Sequence, residues 1–288
     1  MSMIQDTGKN RINTKDAFYT PIETAVECAR IAKNFIKYDE SYFFIEPSAG
    51  SNNFMDGWNQ VFKINNDKII AIDIEPTSLK VKRMDFFDWK PFDENKYIVI
   101  GNPPFGRQGG LAKQFIKKSI SFATYIAFIL PLSFQKPSMQ KVFPLNWKCI
   151  YSIKLENDEF IINNSVKHRV PCVFQIWEKL DNYKRDIKKV ESKLFNFVRK
   201  DDEYDIAVRR VGVNAGRTFL ANDRESLNVN THNFVKFQGE SVDLLKIMEE
   251  MNKMRVEQNT TGPKSISKGE ITEMILNVIE KSGITYKD

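Results

Sequence analysis

The sequence predicts an α/β fold built on an open, mostly parallel sheet, and three observations point there. Short runs of β-branched and aromatic residues recur over 42–45, 68–73, 97–100, 124–132, 148–155 and 170–177, the mark of buried strands. Segments of helical spacing stand among them: 22–32 carries Val26, Ala29 and Ala32 on one stripe, and 111–122 carries Leu111, Phe115, Ile116 and Ile120. The first three runs end in acidic or amide residues, at Glu46, Asp73 and Asn102. In open α/β sheets ligands bind outside the carboxyl ends of the strands.

Residues 1–15, rich in Asn, Lys and Gly, are expected to form a flexible arm. A helix follows: Thr20 suits the N-cap, Pro21 the first helical position, and Glu23 completes a capping box. The strand over 42–45 leads through Glu46-Pro47-Ser48-Ala49-Gly50-Ser51-Asn52-Asn53-Phe54 into a helical segment. Small residues there let backbone N–H groups and a helix N-terminus approach a polar ligand. Asp73-Ile74-Glu75 places a carboxylate at the next strand tip, where it can accept both hydroxyls of a ribose. Arg83-Met84-Asp85-Phe86-Phe87 is an acidic and aromatic turn.

The run over 97–100 stops at Asn102-Pro103-Pro104-Phe105. Two prolines fix φ and remove two donors, so the chain after Asn102 is rigid and cannot continue a ladder. The Asn102 side-chain oxygen and the Pro103 carbonyl can each accept a hydrogen bond from an exocyclic amino group, and Phe105 offers a ring for stacking. Gly106-Arg107-Gln108-Gly109-Gly110 reads as a flexible, basic loop. Farther on, 163–169 reads as a polar loop with a basic tip.

With 288 residues and 42% hydrophobic content the chain can bury a real core, and its net charge of +6 is compatible with a polyanionic partner. Cys28, Cys149 and Cys172 are scattered, as free thiols in a reducing, cytoplasmic compartment would be, and they form no metal-ligand pattern. Neither a signal peptide nor a membrane span is expected. The domain reading is an arm over 1–15, a main domain over 16–180, a small basic module over 181–239 and helices over 240–288. Lys184, Arg185, Lys188, Lys189 and Lys193 are expected along one helix as a solvated face. In the turn from Arg209-Arg210 to Arg217, main-chain N–H groups and guanidinium forks are expected to hold phosphates.

Asn102-Pro103-Pro104-Phe105 resembles the catalytic (D/N)PP(Y/F) tetrapeptide of S-adenosylmethionine-dependent amino-methyltransferases, above all the N6-adenine type. Phe18-Tyr19-Thr20-Pro21 is similar to the segment that closes over the methionine end of the cofactor in that family. Glu46 to Gly50 is similar to its (D/E)PSAG(S/T)G loop, with Asn52 in place of the second glycine, and Asn tolerates left-handed backbone geometry. Asp85-Phe86 resembles the GDF-type element, and Pro131-Leu132-Ser133-Phe134 the LP strand end. The order of these elements is that of the γ group, and the resemblance covers residues 16–178 but hardly the last third.

The resemblance implies a doubly wound, Rossmann-like class I methyltransferase domain with a small C-terminal α+β extension, using S-adenosylmethionine and no metal. It assigns catalysis to Asn102, Pro103, Pro104 and Phe105. It assigns cofactor contacts to Tyr19, Thr20, Pro21, Glu46, Pro47, Ser48, Ala49, Gly50, Asn53, Asp73, Ile74, Asp85, Phe86 and Asn102, with Asp73 preferred over Glu75 for the ribose. Substrate contacts would fall to Phe105, Arg107, His168, Arg169, Arg209, Arg210 and Arg217. In related enzymes the region over 163–169 lies against the extruded base, which implies Phe160, His168 and Arg169 as candidates for base or phosphate contacts. The implied reaction is methyl transfer to N6 of adenine in DNA, with the base flipped out of the duplex. The same chemistry on RNA is the alternative; a glutamine amide, N4 of cytosine and a non-catalytic binding partner are less favoured. Expected partners are nucleic acid, DNA before RNA, and no membrane; homo- and hetero-oligomers both stay open.

Overall fold

The structure, a computed structural model, describes residues 18–92, 95–156, 159–162, 166–186, 191–222, 227–238, 242–256, 260 and 263–282. The arm expected over 1–15 lies outside them. Two compact units divide the chain, Met1–Asp186 and Ile187–Asp288.

The first unit is built on seven strands: β1 Tyr42–Glu46, β2 Ile69–Asp73, β3 Lys82–Arg83, β4 Lys96–Gly101, β5 Tyr125–Pro131, β6 Trp147–Lys154 and β9 Cys172–Lys179. A separate hairpin pairs β7 Glu159–Ile162 with β8 Val166–Arg169. The sheet order is β3-β2-β1-β4-β5-β9-β6, and β9 alone runs against its neighbours. Strand order reverses between β1 and β4, so the carboxyl ends of those strands open the crevice where such sheets take ligands.

Helices α1 Ile22–Ala32, α2 Asn53–Phe62, α3 Gly110–Ser119 and the short α4 Pro137–Gln140 complete the unit. The period of two along the strands decides what each face buries. Phe44, Ile98, Ile100, Ala127 and Ile129 share a core with α1 and α2, whereas Ile45, Val99, Ile126 and Phe128 share one with α3. Both faces are therefore covered, and the sheet is doubly wound and Rossmann-like, as expected. Residues 97–100 are at most 1% exposed, and each such large apolar side chain contributes roughly 1.5–3 kcal/mol on burial.

The second unit is a small α+β fold. Its antiparallel sheet has the order β10-β13-β11-β12, with β10 Phe195–Val198, β11 Ile206–Arg209, β12 Thr218–Leu220 and β13 His232–Phe237. Helices α5 Leu244–Lys253 and α6 Lys268–Ser282 cover one face, where Ile206, Val208, Val235 and Phe237 meet Ile247, Met251, Ile271 and Ile275.

Four local expectations are corrected. Pro21, not Thr20, stands at the N-cap of α1, and no side chain caps that helix. The stretch after Phe105 is ordered as a 3-10 turn, Arg107–Gly109, running into α3. The loop expected over 163–169 is instead the return strand β8, with 163–165 outside the described residues. The basic helix near 184–193 does not form among the described residues. Arg185 sits on the first unit, its Nη2 donating to the Gln140 and Phe143 carbonyls and its guanidinium 5.1 Å from the Trp177 ring centre. A guanidinium can satisfy carbonyls and a ring face together, which outweighs a place on a solvated helix.

Candidate active site

The tips of β1, β2 and β4 enclose a cavity of about 380 Å³. Glu46 ends β1 with its carboxyl buried, and Oε2 accepts the Met55 N–H at the start of α2 (3.0 Å). Burial holds this carboxyl well above the usual range; the Met55 bond opposes the shift and the charges of Asp73 and Asp56 add to it. The loop that follows is tied to β2 by Ala49 N–H to the Ile72 carbonyl (3.0 Å), while the Gly50 carbonyl accepts from Thr77 (3.0 Å).

Asn52 adopts φ 69°, the left-handed geometry its residue type tolerates, and its Nδ2 donates to Asp56 (2.9 Å), which also pairs with Lys80 (3.0 Å). Gly50 is at φ +48°, and a Cβ there would stand 2.7 Å from Tyr19 Cε1. Only glycine lets the Tyr19 ring lie that close to the loop.

Asp73 closes β2. Its Oδ2 accepts the Gly50 N–H and its Oδ1 the Glu75 N–H, both at 2.8 Å. Two backbone donors fix the carboxylate and leave further lone pairs for a ligand hydroxyl. Asp85 accepts the Phe87 N–H (2.8 Å) and stands on the wall with Phe86, which stacks on Phe115 of α3 (5.3 Å, 22°). Exposed Ile74 and Phe87 and the α3 residues Leu111 and Phe115 add an apolar side.

Asn102 follows β4. Its Nδ2 donates to the Phe18 carbonyl (3.3 Å) and to Thr20 Oγ1 (3.2 Å), while Oδ1 is buried without a protein partner. A backbone carbonyl can only accept, so the nitrogen must face Phe18 and the oxygen must point away. Thr20, read from sequence as a helix cap, spends its hydroxyl here. The Ser48 hydroxyl donates to the Asn102 carbonyl (3.3 Å), joining the β1 and β4 tips.

The other sequence candidates divide. Tyr19, Thr20, Glu46, Pro47, Ser48, Ala49, Gly50, Asn53, Asp73, Ile74, Asp85, Phe86, Asn102 and Pro104 all line the cavity. Pro21, Pro103 and Phe105 stand outside its wall. Phe105 packs against the α1/α2 core, and its carbonyl accepts the Leu111 and Ala112 N–H groups. Arg107 is exposed. His168 and Arg169 lie on β8 with their side chains outside the described residues, opposite Phe160 and Glu159. Phe160 is buried, edge-on to Phe18 at 6.3 Å. Arg209, Arg210 and Arg217 belong to the second unit.

Sequence reasoning missed six wall residues: Phe18, Ser51, Phe54, Phe87, Leu111 and Phe115. Phe18, Ser51, Phe54 and Phe87 adjoin assigned residues, and Leu111 and Phe115 share the helix face after the Asn-Pro-Pro-Phe segment, so adjacency and spacing were the available signals. Four carboxyl groups, Glu46, Asp73, Glu75 and Asp85, line the cavity, with no Lys, Arg or His among its described residues. That lining suits a ligand carrying positive charge and hydroxyls. Among the described residues no cluster of three His, Cys, Asp or Glu has metal-holding geometry, and no helix is long and apolar enough to cross a membrane.

No protein-family model matches the chain, and no curated protein does. Solved structures are similar to parts of it. A 23S rRNA methyltransferase, ErmE, is 12% identical over 60% of this chain and 73% of its own, with a TM-score of 0.40. TYW2 of P. horikoshii, solved in complex with MeSAdo, is 12% identical over 58% and 67%, with a TM-score of 0.37. A type I restriction-modification methyltransferase subunit from Streptococcus thermophilus is 13% identical over 94% of this chain and 59% of its own, with a TM-score of 0.42. At those values none of them carries a substrate across to this chain, and the doubly wound assignment rests on strand order and the two covered faces.

Proposed function

We propose that this chain is an S-adenosylmethionine-dependent methyltransferase acting on the N6 amino group of adenine in DNA. The observation that carries the reading is the Asn102 carboxamide. Its nitrogen is held by Phe18 and Thr20, so its buried oxygen is left as a fixed acceptor at the edge of a carboxyl-lined cavity. A buried acceptor without a donor costs about 1–3 kcal/mol, and an exocyclic amino group supplies the missing donor.

The residues present fit the cofactor. Asp73, fixed by two backbone N–H groups, suits the ribose hydroxyls, and Asp85 with Phe86, Phe87, Leu111 and Phe115 suits an adenine ring. Glu46, the Ser48–Gly50 turn and Tyr19 suit the amino-acid end, where the cationic groups favour nearby carboxyls. S-adenosylmethionine, when bound, supplies an electrophilic methyl group on a sulfonium. Asn102 Oδ1 accepts one hydrogen of the target amino group and localises its lone pair toward the methyl carbon. Catalysis on this scheme is positioning and electrostatic fit. The nitrogen becomes acidic once methylated, so solvent can take the proton.

The test is incubation with labelled S-adenosylmethionine and matched DNA, RNA and protein pools, followed by identification of the methylated product. N6-methyladenine in DNA is expected. Asn102→Ala should abolish transfer and leave cofactor affinity within about threefold, since the change falls on transition-state contacts. Label in RNA or protein alone, or normal turnover by Asn102→Ala, overturns the proposal.

A further inference from the structure

The second unit carries an arginine cluster for which its own fold supplies no counter-ion among the described residues. Arg209 ends β11 and donates its N–H to the Arg217 carbonyl (2.8 Å), which sets the two arginines across from each other at the end of the β11–β12 ladder. Like charges in facing positions of a ladder are destabilising unless something of opposite sign joins them. No carboxylate of the described residues lies within ion-pair distance of Arg209, Arg210 or Arg217, although the same unit pairs Lys236 with Asp205 at 3.0 Å. The helices cover the opposite face of this sheet, through Ile206 and Val208.

The three guanidiniums are held in place rather than loose. Arg209 Nε donates to the Val211 carbonyl (3.2 Å) and Arg210 Nε to the Asn230 carbonyl (3.1 Å), which leaves their outer nitrogens available. Arg217 lies 5.4 Å from the Phe219 ring centre, and Phe219 is backed edge-on by the buried His232 at 5.7 Å. The turn beneath them is rigid: Gly216 N–H bonds the Arg209 carbonyl (2.7 Å), Gly212 N–H the Lys264 carbonyl (2.9 Å), and Ile266 N–H the Arg210 carbonyl (2.9 Å). Ala215 and Arg217 N–H groups are also spent within the turn. With four of the turn's main-chain N–H groups spent, at Gly212, Ala215, Gly216 and Arg217, anion binding would fall mainly to the side chains. In the turn stands Val213, 90% exposed, between Arg210 and Arg217 in sequence.

We infer that the β11–β12 turn is a phosphate grip for DNA, in which Arg209, Arg210 and Arg217 bind backbone phosphates and Val213 packs against the sugar or base edge between them. The inference rests on the nucleic-acid reading of the first unit and deepens it by naming where the polyanion is held. Guanidinium forks match phosphate oxygens bidentately, and apolar tips among arginines recur where proteins press into a DNA groove. Contacts of this kind position the duplex without reading its sequence.

The experiment uses the full chain and fluorescence anisotropy with a labelled duplex DNA of mixed sequence, titrated at several KCl concentrations. Each phosphate contact removed should lower the slope of log K against log salt by about 0.9. Arg210→Ala and Arg217→Ala, both exposed, should each show that loss on any duplex sequence. Arg217→Lys should restore the slope, and Val213→Ser should weaken binding with the slope unchanged. S-adenosylmethionine affinity, measured by calorimetry, should be the same in every variant, and circular-dichroism melting curves that match wild type exclude unfolding of the second unit as the cause. If wild type binds DNA and the Arg210→Ala/Arg217→Ala double variant keeps the full slope, the grip is wrong and the nucleic-acid reading stands. Binding of a matched RNA but not of DNA overturns the grip as a DNA site. Binding of neither, with cofactor affinity intact, overturns both.

Discussion

Gly50→Ala probes the contact on which the proposed cofactor side of the cavity turns. Gly50 sits at φ +48°, where a residue with a Cβ costs about 1–2 kcal/mol. The new methyl would also stand 2.7 Å from Tyr19 Cε1 and 3.0 Å from Cδ1, against an optimum near ~3.5–4.0 Å. The ring must move by roughly 1 Å, and an off-rotamer displacement of that kind costs about 0.5–1.5 kcal/mol. The two effects sum to about 1.5–3.5 kcal/mol of stability. Because Tyr19 forms part of the wall, S-adenosylmethionine affinity should also fall about tenfold, equivalent to about 1.4 kcal/mol. Urea unfolding and calorimetric titration of wild type, Gly50→Ala, Tyr19→Ala and the double variant separate the two terms. With the ring gone, the alanine should cost only the backbone part, so a coupling energy of about 1 kcal/mol is expected. The reasoning fails if Gly50→Ala costs the same with and without the Tyr19 ring, or lies within about 0.5 kcal/mol of wild type.

Thr20→Val removes one of the two groups that hold the Asn102 carboxamide, a hydrogen bond of about 1 kcal/mol. Turnover should drop about fivefold to tenfold with KM for DNA little changed; an unchanged kcat speaks against Thr20 as a positioning residue. Glu46→Gln should flatten the pH dependence of stability. Burial raises the folded carboxyl above its ordinary 4.5. Its neutral form is therefore harmless at low pH, and stability is lost as pH rises through the folded value. The melting temperature of the variant relative to wild type should therefore rise between pH 4 and 8, and a constant difference across that range contradicts the assignment.

Six strands of the first unit were legible because each carries a run rich in β-branched and aromatic residues: 97–100 reads as one and forms the core of β4, whereas β3, Lys82–Arg83, has no apolar residue to read. The carboxyl-end motifs were legible for a related reason, since acids, prolines and an amide at strand tips have few structural uses. What sequence concealed depends on partners far along the chain. Thr20-Pro21-Ile22-Glu23 has the local chemistry of a capped helix, yet the Thr20 hydroxyl is taken by Asn102, 82 residues on. Arg185 looks like one cation among several, yet carbonyls more than 40 residues earlier hold it beneath a tryptophan. Leu111 and Phe115 look the same in sequence whether they face a core or a cavity. In the second unit, where no motif anchors the reading, composition pointed to arginines and a turn but not to which N–H groups the turn would consume.

The same long-range contacts explain why an amide stands at position 102. An aspartate would be the stronger acceptor for an amino group, but its second oxygen would face the Phe18 carbonyl, setting two acceptors against each other at about 3.3 Å. It would also add a further charge beside Glu46, Asp73, Glu75 and Asp85, which share one small cavity. An alkyl side chain would avoid both problems and supply no acceptor. Asparagine is the residue whose two ends match two opposite requirements: a donor toward Phe18 and Thr20, and a neutral acceptor on the other side of the amide. On the proposed reaction, the charge that would hold a cationic methyl donor resides in the tips of β1 and β2, while the group proposed to meet the amino nitrogen stays neutral and keeps its orientation without regard to pH.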